Sequence, residues 1–108
     1  MTFFNIIIPL YNAEKWLSRC LRTAAAQDYD NYRVIVVNDC STDDSSAVIE
    51  KEIKNNDKFS FITTDKNGGA LNSTFVGIQH AQPNDEDVII ILDGDDWFAR
   101  KDVLTILN

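Results

Sequence analysis

Short apolar runs alternate with longer segments of helical pattern, and this alternation constrains the fold more than any other feature. The four runs extend over residues 3–9, 32–37, 59–64 and 88–92. Such short runs, rich in Val, Ile and Phe, are typical of strands that are buried on both faces of a parallel sheet. Each intervening segment is long enough for a helix and a right-handed crossover. The sequence therefore predicts an α/β fold with a doubly wound, mainly parallel sheet.

The segments between the runs carry apolar residues at helical spacing. Asn12 is predicted to cap the first helix. The buried stripe of this helix is expected to comprise Ala13, Trp16, Leu17, Cys20, Leu21 and Ala24. The second helix is predicted from about Ser45 to Asn55. In the third helix, the residues expected to face the core are Leu71, Phe75 and Ile78.

The fourth run, predicted to be covered on both faces, stops at three carboxylates within four positions. Carboxylates this close together repel one another unless a cation neutralises them. Hard oxygen ligands favour Mg²⁺ or Mn²⁺, and the candidate ligands are Asp93 and Asp95. Gly94 permits a tight turn between them. A solvated acidic loop that caps the following helix is the alternative, and Asp93-x-Asp95 taken alone favours neither interpretation.

Polar clusters follow all four runs, and parallel strands bring their carboxyl ends to one edge of the sheet. Tyr11 offers an aromatic face, and Asp39 offers acceptors for the N–H of a nucleobase. Lys66 adds a positive charge. Gly68-Gly69 precedes a predicted helix and would leave the N-terminus of that helix accessible to anions. Packing, helix capping or a turn explains each of these residues better when it is taken singly. Their joint position predicts one site for a nucleotide with metal-bound phosphates.

Charge and cysteine content argue against several classes of protein. The chain has 10 basic and 17 acidic residues, a net charge of −7, so its average surface repels the backbone of a nucleic acid. Cys20 and Cys40 lack partners at metal-ligand spacing, which predicts two reduced thiols in a cytoplasmic protein. No apolar run approaches about 18 residues, so no membrane span is predicted.

The chain resembles the N-terminal half of family-2 glycosyltransferases of the GT-A type, which use nucleotide-activated sugars. Ile7–Asn12 is similar to their opening strand and turn, Val36–Asp43 to their "VDDGSTD" segment, and Leu92–Trp97 to their "LDxDD" metal motif. Two positions depart from the second motif, because Asn38 replaces the usual acid and Cys40 the usual glycine.

A further departure lies in the third helical segment. The family usually has an Ala-Arg-Asn run there, whereas this chain has Ser73-Thr74-Phe75. Thr74 cannot supply the charge of that arginine.

The resemblance implies a role for each matching residue. Pro9 and Tyr11 would lie along the base and ribose of a nucleotide-sugar donor, with a UDP-sugar favoured, and Asp39 would bind the base. Asp93 would contact the ribose or sugar, and Asp95 would hold Mn²⁺ or Mg²⁺ on the diphosphate. In the family, the general base and the acceptor site lie beyond position 108. Residues 1–108 are therefore expected to form the donor-binding part of a longer domain and to be inactive alone.

Two other classes of protein share some of these features. A regulatory module that binds metal or phosphate would use Asp39 and Asp93 as an acid pocket, but acidic residues would then also end the first run, where Pro9-Leu10-Tyr11 stands. A phosphatase with a D-x-D nucleophile carries its acids after the first strand. An incomplete sheet also leaves an apolar flank, which predicts a homodimer.

Overall fold

The computed structural model describes all residues from 1 to 108 and contains four strands and four helices. In chain order they are β1 (Phe4–Leu10), α1 (Glu14–Ala25), β2 (Tyr32–Asn38), α2 (Ser45–Ile53), β3 (Phe59–Thr63), α3 (Ala70–Ala81), β4 (Val88–Ile91) and α4 (Val103–Leu107). The strands form one sheet in the order β3-β2-β1-β4, and every neighbouring pair is parallel. The predicted α/β fold is confirmed. No helix combines the length and the apolar character needed to cross a bilayer.

Helices cover both faces of the sheet, and β1 is buried along its whole length. Ile6 and Ile8 of β1 point into the larger core, which includes Leu17 and Leu21 of α1. Ile7 points into a smaller core on the opposite face, against α3. Because successive side chains of a strand point to opposite faces, a strand covered on both sides needs a continuous apolar run.

The winding of the sheet reverses between β1 and β4. β2 and β3 are added on one side of β1, and α3 then returns the chain so that β4 pairs with the other side. In open α/β sheets, such a reversal leaves a crevice outside the carboxyl ends of the two strands. The loops that follow β1 and β4 therefore border the expected ligand crevice.

β4 is an edge strand, and the prediction that it is covered on both faces is wrong. Ile90 packs against the larger core, but Ile91 is 45% exposed, and Val88 and Ile89 are also exposed. The physical reason is that only β1 pairs with β4, while α3 packs mainly on β1 and β2. The apolar run predicted a strand correctly but not how much of it is covered.

The predicted buried face of α3 is wrong for two of its three residues, and only Ile78 is partly buried, against the smaller core. Leu71 is 87% exposed and Phe75 is 58% exposed, whereas the residues that face the sheet are Ser73, Gly77 and Ala81. Small residues let the helix approach the strands closely, since a Cβ atom on Gly77 would lie only 2.5 Å from Cγ2 of Ile7. In this helix the large side chains of Leu71 and Phe75 therefore lie at the surface, and the residues with small side chains face the sheet.

The N-terminal part of α1 differs from its prediction in two residues. Asn12 does not cap the helix, because Ala13 occupies the cap position and the Asn12 side chain bonds to Thr42 instead. Trp16 is largely exposed rather than part of the buried stripe. The other residues of the stripe are buried as predicted, namely Ala13, Leu17, Cys20, Leu21 and Ala24.

Candidate functional site

A cavity of about 310 Å³ lies at the carboxyl ends of the strands. Parallel strands predict that polar residues following them meet at this edge, and five of the six candidate site residues do line the cavity. They are Pro9, Tyr11, Asp39, Asp93 and Asp95. Lys66 lies exposed in the loop before α3 and is not among the lining residues, so its contact with a ligand stays a prediction.

Asn12 fixes the loop that carries Tyr11. Its backbone has a positive φ of 50°, a conformation that Asn tolerates better than most residues. The Asn12 N–H donates to Oγ of Ser41 (3.0 Å), and the Asn12 Oδ1 accepts the backbone N–H of Thr42 (2.8 Å). The loop after β1 is thus tied to the loop after β2, which holds the half-exposed Tyr11 at the cavity.

Asp43 joins the N-termini of two helices. Its Oδ1 accepts the N–H (2.9 Å) and the hydroxyl (2.6 Å) of Ser45, the first residue of α2. Its Oδ2 accepts the N–H of Glu14, the first residue of α1, at 3.3 Å. Burial raises the pKa of Asp43, but the hydrogen bonds from Ser45 and Glu14 outweigh it and hold the pKa below its ordinary value.

Asp39 is almost fully buried, with 2% of its surface exposed, and it still lines the cavity. Its Oδ1 accepts the Gly68 N–H (2.9 Å) and the Thr64 hydroxyl (3.1 Å), and its Oδ2 accepts the Gly69 N–H (2.8 Å). Burial raises the pKa of Asp39, but these donors outweigh it and lower the pKa below its ordinary value. Asp39 therefore fixes the loop before α3 and does not cap α2, the helix that follows it in the chain. Since a carboxylate offers about four lone pairs, it keeps one acceptor position on Oδ2.

Ser73 is a polar cavity residue that sequence reasoning missed. It is fully buried, and its hydroxyl makes no hydrogen bond of acceptable geometry, although it lies close enough to the Asp39 carboxylate to help lower that pKa. A buried hydroxyl without a partner destabilises a protein by about 1–3 kcal/mol. Its spacing of four residues from Gly77 along the small-residue face of α3 is the sequence signal that could have indicated its burial.

Asp96 joins the two predicted metal ligands. One carboxylate oxygen from each of Asp93, Asp95 and Asp96 lies within 4.8 Å of the others, and all three side chains are exposed. The Asp96 N–H donates to the Asp93 carbonyl (2.9 Å), which closes the turn that brings the three together. Such oxygen ligands, open to solvent on one side, fit Mg²⁺ or Mn²⁺, since these ions complete their shells with water or phosphate.

The acidic loop, residues 93–96, packs closely against β1 and α1. The Gly94 N–H donates to the Pro9 carbonyl (3.1 Å), and a Cβ atom on Gly94 would lie 2.6 Å from Cβ of Leu10. The thiol of Cys20 lies beneath the loop and donates to the Asp93 carbonyl (3.6 Å). Burial, together with the charges of the nearby carboxylates, raises the pKa of Cys20 to about 12, so the thiol stays protonated as a donor.

The segment after the acidic residues is held on α1 as well. The guanidinium carbon of Arg19 lies 3.7 Å from the centroid of the Trp97 ring, a cation–π contact. The Phe98 N–H donates to the hydroxyl of Thr23 (3.0 Å), and the Phe98 ring is buried. The acidic loop is therefore anchored at both of its ends.

The two departures in the second motif both belong to the turn after β2. Asn38 is fully buried, its Nδ2 donates to Oγ of Ser46 (2.9 Å), and its Oδ1 accepts the Ser41 N–H (3.1 Å). An aspartate has no N–H to make the first of these bonds. Cys40 has a φ of 57°, in the region that favours glycine. Neither residue lines the cavity.

The parallel sheet, its winding reversal and the acidic loop beside β1 together define an α/β protein of the Rossmann-like class with a polar crevice at one edge. The family model described as Glycosyl transferase family 2 matches residues 5–108, and the chain belongs to that family.

Similar sequences are glycosyltransferases that are longer than this chain. An uncharacterized glycosyltransferase of Haemophilus influenzae is 32% identical over 108 residues, which cover 100% of this chain and 42% of that protein. The poly(ribitol-phosphate) beta-N-acetylglucosaminyltransferase TarS of Staphylococcus aureus is 33% identical over 104 residues, covering 94% of this chain and 18% of that protein. The chain thus spans less than half the length of these relatives.

Solved structures show the same fold. The crystal structure of S. aureus TarS 1–349 in complex with UDP-GlcNAc matches 98% of this chain and 30% of that chain, with a TM-score of 0.86 and 28% identity. The mannosyltransferase PcManGT from Pyrobaculum calidifontis, in complex with GDP-Man and Mn²⁺, matches 94% of this chain and 30% of that chain, with a TM-score of 0.82 and 20% identity. These likenesses establish the GT-A fold.

Proposed function

We propose that this chain is the donor-binding part of a family-2 glycosyltransferase, which binds a nucleoside-diphosphate sugar together with a divalent metal for transfer of the sugar to an acceptor. The observation that carries the proposal is the meeting of Tyr11, Asp39, Asp93 and Asp95 in one cavity. The aromatic face suits the base of such a donor, and the buried acceptor suits an N–H at the edge of that base. The hard oxygen ligands suit a metal ion bound to the diphosphate.

Each cavity residue has a distinct proposed contact. Pro9 and Tyr11 line the base and ribose, and Asp39 accepts a hydrogen bond from the base through its remaining position on Oδ2. Asp93 contacts the ribose or the sugar, and Asp95 holds the metal. Asp96 does not line the cavity, but its carboxylate lies beside those of Asp93 and Asp95 and adds a third ligand.

The solvent-exposed Lys66 would contribute only a long-range positive charge. A UDP-sugar is the favoured donor, and its support is the likeness to TarS, whose structure contains UDP-GlcNAc.

A Mg²⁺ or Mn²⁺ held by Asp93, Asp95 and Asp96 would supply Lewis-acid stabilisation of the departing nucleoside diphosphate. The residues of this chain bind the donor and orient it. The catalytic base and the acceptor site are proposed to lie beyond residue 108, since the longer relatives are more than twice the length of the part that matches this chain. The free thiols of Cys20 and Cys40 support a cytoplasmic location.

Calorimetric titration with UDP, GDP and CDP, each with and without Mn²⁺, tests the proposal. Mn²⁺-dependent binding of one nucleotide is expected. Asp95→Asn should weaken this binding by about tenfold or more, because even residues behind a metal ligand change metal affinity 10–100-fold. Asp57→Asn is the matched control, since it removes the same charge from an exposed residue before β3, at the opposite edge of the sheet.

Two results would contradict the proposal. Mn²⁺ binding without any nucleotide preference would favour a regulatory metal-binding module instead. Sugar transfer by the 108-residue chain alone would show that the base and acceptor site do not lie elsewhere, so a transfer assay with this chain is expected to give no product.

A further inference from the structure

Ser73 lies in the first turn of α3 and borders the cavity beside Asp39. Its backbone N–H donates to the Gly69 carbonyl (3.0 Å), so its backbone is satisfied as part of the helix. Its hydroxyl is the one buried side-chain oxygen or nitrogen in the chain without a hydrogen-bond partner. Buried polar atoms nearly always have a partner, and an exception at a cavity wall is a position where a water molecule or a ligand can supply it.

Asp39 and Ser73 complement each other chemically. Asp39 is ionised and can only accept hydrogen bonds, and three protein donors leave it about one acceptor position, on Oδ2. Ser73 has a hydroxyl that can donate. The cavity wall therefore presents an acceptor next to a donor, and its complement is a ligand edge with an N–H next to a carbonyl oxygen.

We infer that Ser73 is a specificity-determining contact of the donor site, which recognises a base with an adjacent N–H and C=O, such as uracil, and discriminates against cytosine. This inference rests on the proposed function. Uracil presents N3–H to Asp39 and a neighbouring carbonyl oxygen to the Ser73 hydroxyl. Cytosine presents an unprotonated ring nitrogen and an amino group, so the carboxylate faces a lone pair and the hydroxyl loses its acceptor.

UDP and CDP form a matched pair of probes because they differ only at this edge of the base. Each is titrated calorimetrically with Mn²⁺ into the wild-type protein, Ser73→Ala and Thr74→Ala. Thr74→Ala is the control, since it removes a neighbouring hydroxyl of α3 that already donates to the Ala70 carbonyl (2.9 Å).

The wild type should bind UDP more tightly than CDP. In Ser73→Ala, UDP binding should weaken about three- to tenfold with CDP binding unchanged, because one hydrogen bond to the base is lost. Thr74→Ala should keep the preference of the wild type. Both ligands are titrated into the same preparation, so their affinity ratio does not depend on the fraction of folded protein.

The other results separate the two proposals. Failure of the wild type to bind UDP, GDP or CDP with Mn²⁺ overturns the proposed function and this inference with it, whereas Mn²⁺-dependent binding of GDP or CDP without UDP overturns the inference alone. UDP binding without preference over CDP, or a Ser73→Ala variant that keeps the full preference, overturns the inference alone. If Ser73→Ala binds UDP and CDP equally more weakly than the wild type, Ser73 only supports Asp39. This result also overturns the inference.

Discussion

Cys40 adopts a backbone conformation that suits glycine. A non-glycine residue at its φ of 57° is disfavoured by about 1–2 kcal/mol, whereas glycine adopts this region freely. Glycine lowers the free energy of unfolding by about 0.5–1 kcal/mol in return, because its unfolded state is more flexible. Cys40→Gly should therefore raise the free energy of unfolding by roughly 0.5–1 kcal/mol, measured by urea denaturation.

Cys40→Ala serves as the control for this change, because it removes the thiol and keeps the unfavourable φ. The alanine variant should be no more stable than the wild type. Equal stability of the glycine and alanine variants would show that the backbone at this position is not strained.

Asp43 makes the stability of the α1 and α2 N-termini depend on pH. Its folded-state pKa is lowered, so its contribution is present above the ordinary pKa of 3.8 and is lost as the pH falls through the folded-state value. The wild type should exceed Asp43→Asn in stability most at neutral pH, and the difference should shrink below about pH 4. Urea midpoints measured across this range test the prediction, and a difference that stays constant with pH would contradict it.

The contact of the acidic loop with β1 and α1 depends on Gly94. Gly94→Ala places a Cβ atom 2.6 Å from Cβ of Leu10, which belongs to a buried strand and cannot move away easily. Overpacking of this kind destabilises a protein by about 1–3 kcal/mol. We expect both a lower melting temperature and weaker Mn²⁺-dependent nucleotide binding, because the loop carries Asp93 and Asp95.

Gly68→Ala is a matched control for Gly94→Ala. Its Cβ atom would lie 2.6 Å from Nδ2, 3.1 Å from Cγ and 3.3 Å from Cβ of the exposed Asn72, and rotation of that side chain relieves the closest of these contacts. Nucleotide binding and melting should change much less in this variant. Equal losses in the two variants would refute the importance of the Gly94 contact.

Most elements follow from local sequence, but their degree of burial does not. The apolar runs located all four strands, because each strand packs apolar side chains against at least one of the two cores. The face of α3 was mispredicted, because a close approach to the sheet selects Ser73 and Gly77 over larger residues such as Phe75. Periodicity identifies a stripe of large apolar residues and cannot show that a neighbouring stripe of small ones packs better.

The candidate site was predictable where it depends on topology. Tyr11, Asp39 and Asp95 follow different strands, and parallel pairing alone brings them to one cavity. Ser73 could not be predicted as part of the site, since its position depends on how α3 lies on the sheet. The link made by Asn12 was missed because it joins two loops through a positive φ that no periodic pattern indicates.

At the scale of the molecule, apolar residues are exposed along β4, and the outer edge of this strand has no partner in the sheet. An exposed, apolar edge strand favours pairing with another chain. We expect a concentration-dependent homodimer in size-exclusion chromatography with light scattering. Ile89→Lys should shift the protein to monomer, because a charge in this edge opposes pairing.

The opposite edge of the sheet provides the control. Phe61→Lys places the same charge on β3, also at a partly exposed position, and should leave the dimer intact. A wild-type protein that is monomeric at every concentration would contradict the predicted dimer. A dimer disrupted only by Phe61→Lys would assign the interface to the other edge.

The acidic loop follows β4, an edge strand that pairs with β1 only. The amides of Leu92 and Gly94 donate to carbonyl groups of β1, at 2.9 and 3.1 Å, and no strand pairs with the outer edge of β4. A second strand laid along β4 would therefore steady the carboxylates that are proposed to hold the metal. By thermodynamic reciprocity, whatever pairs with this edge and whatever occupies the crevice should each raise the affinity of the other.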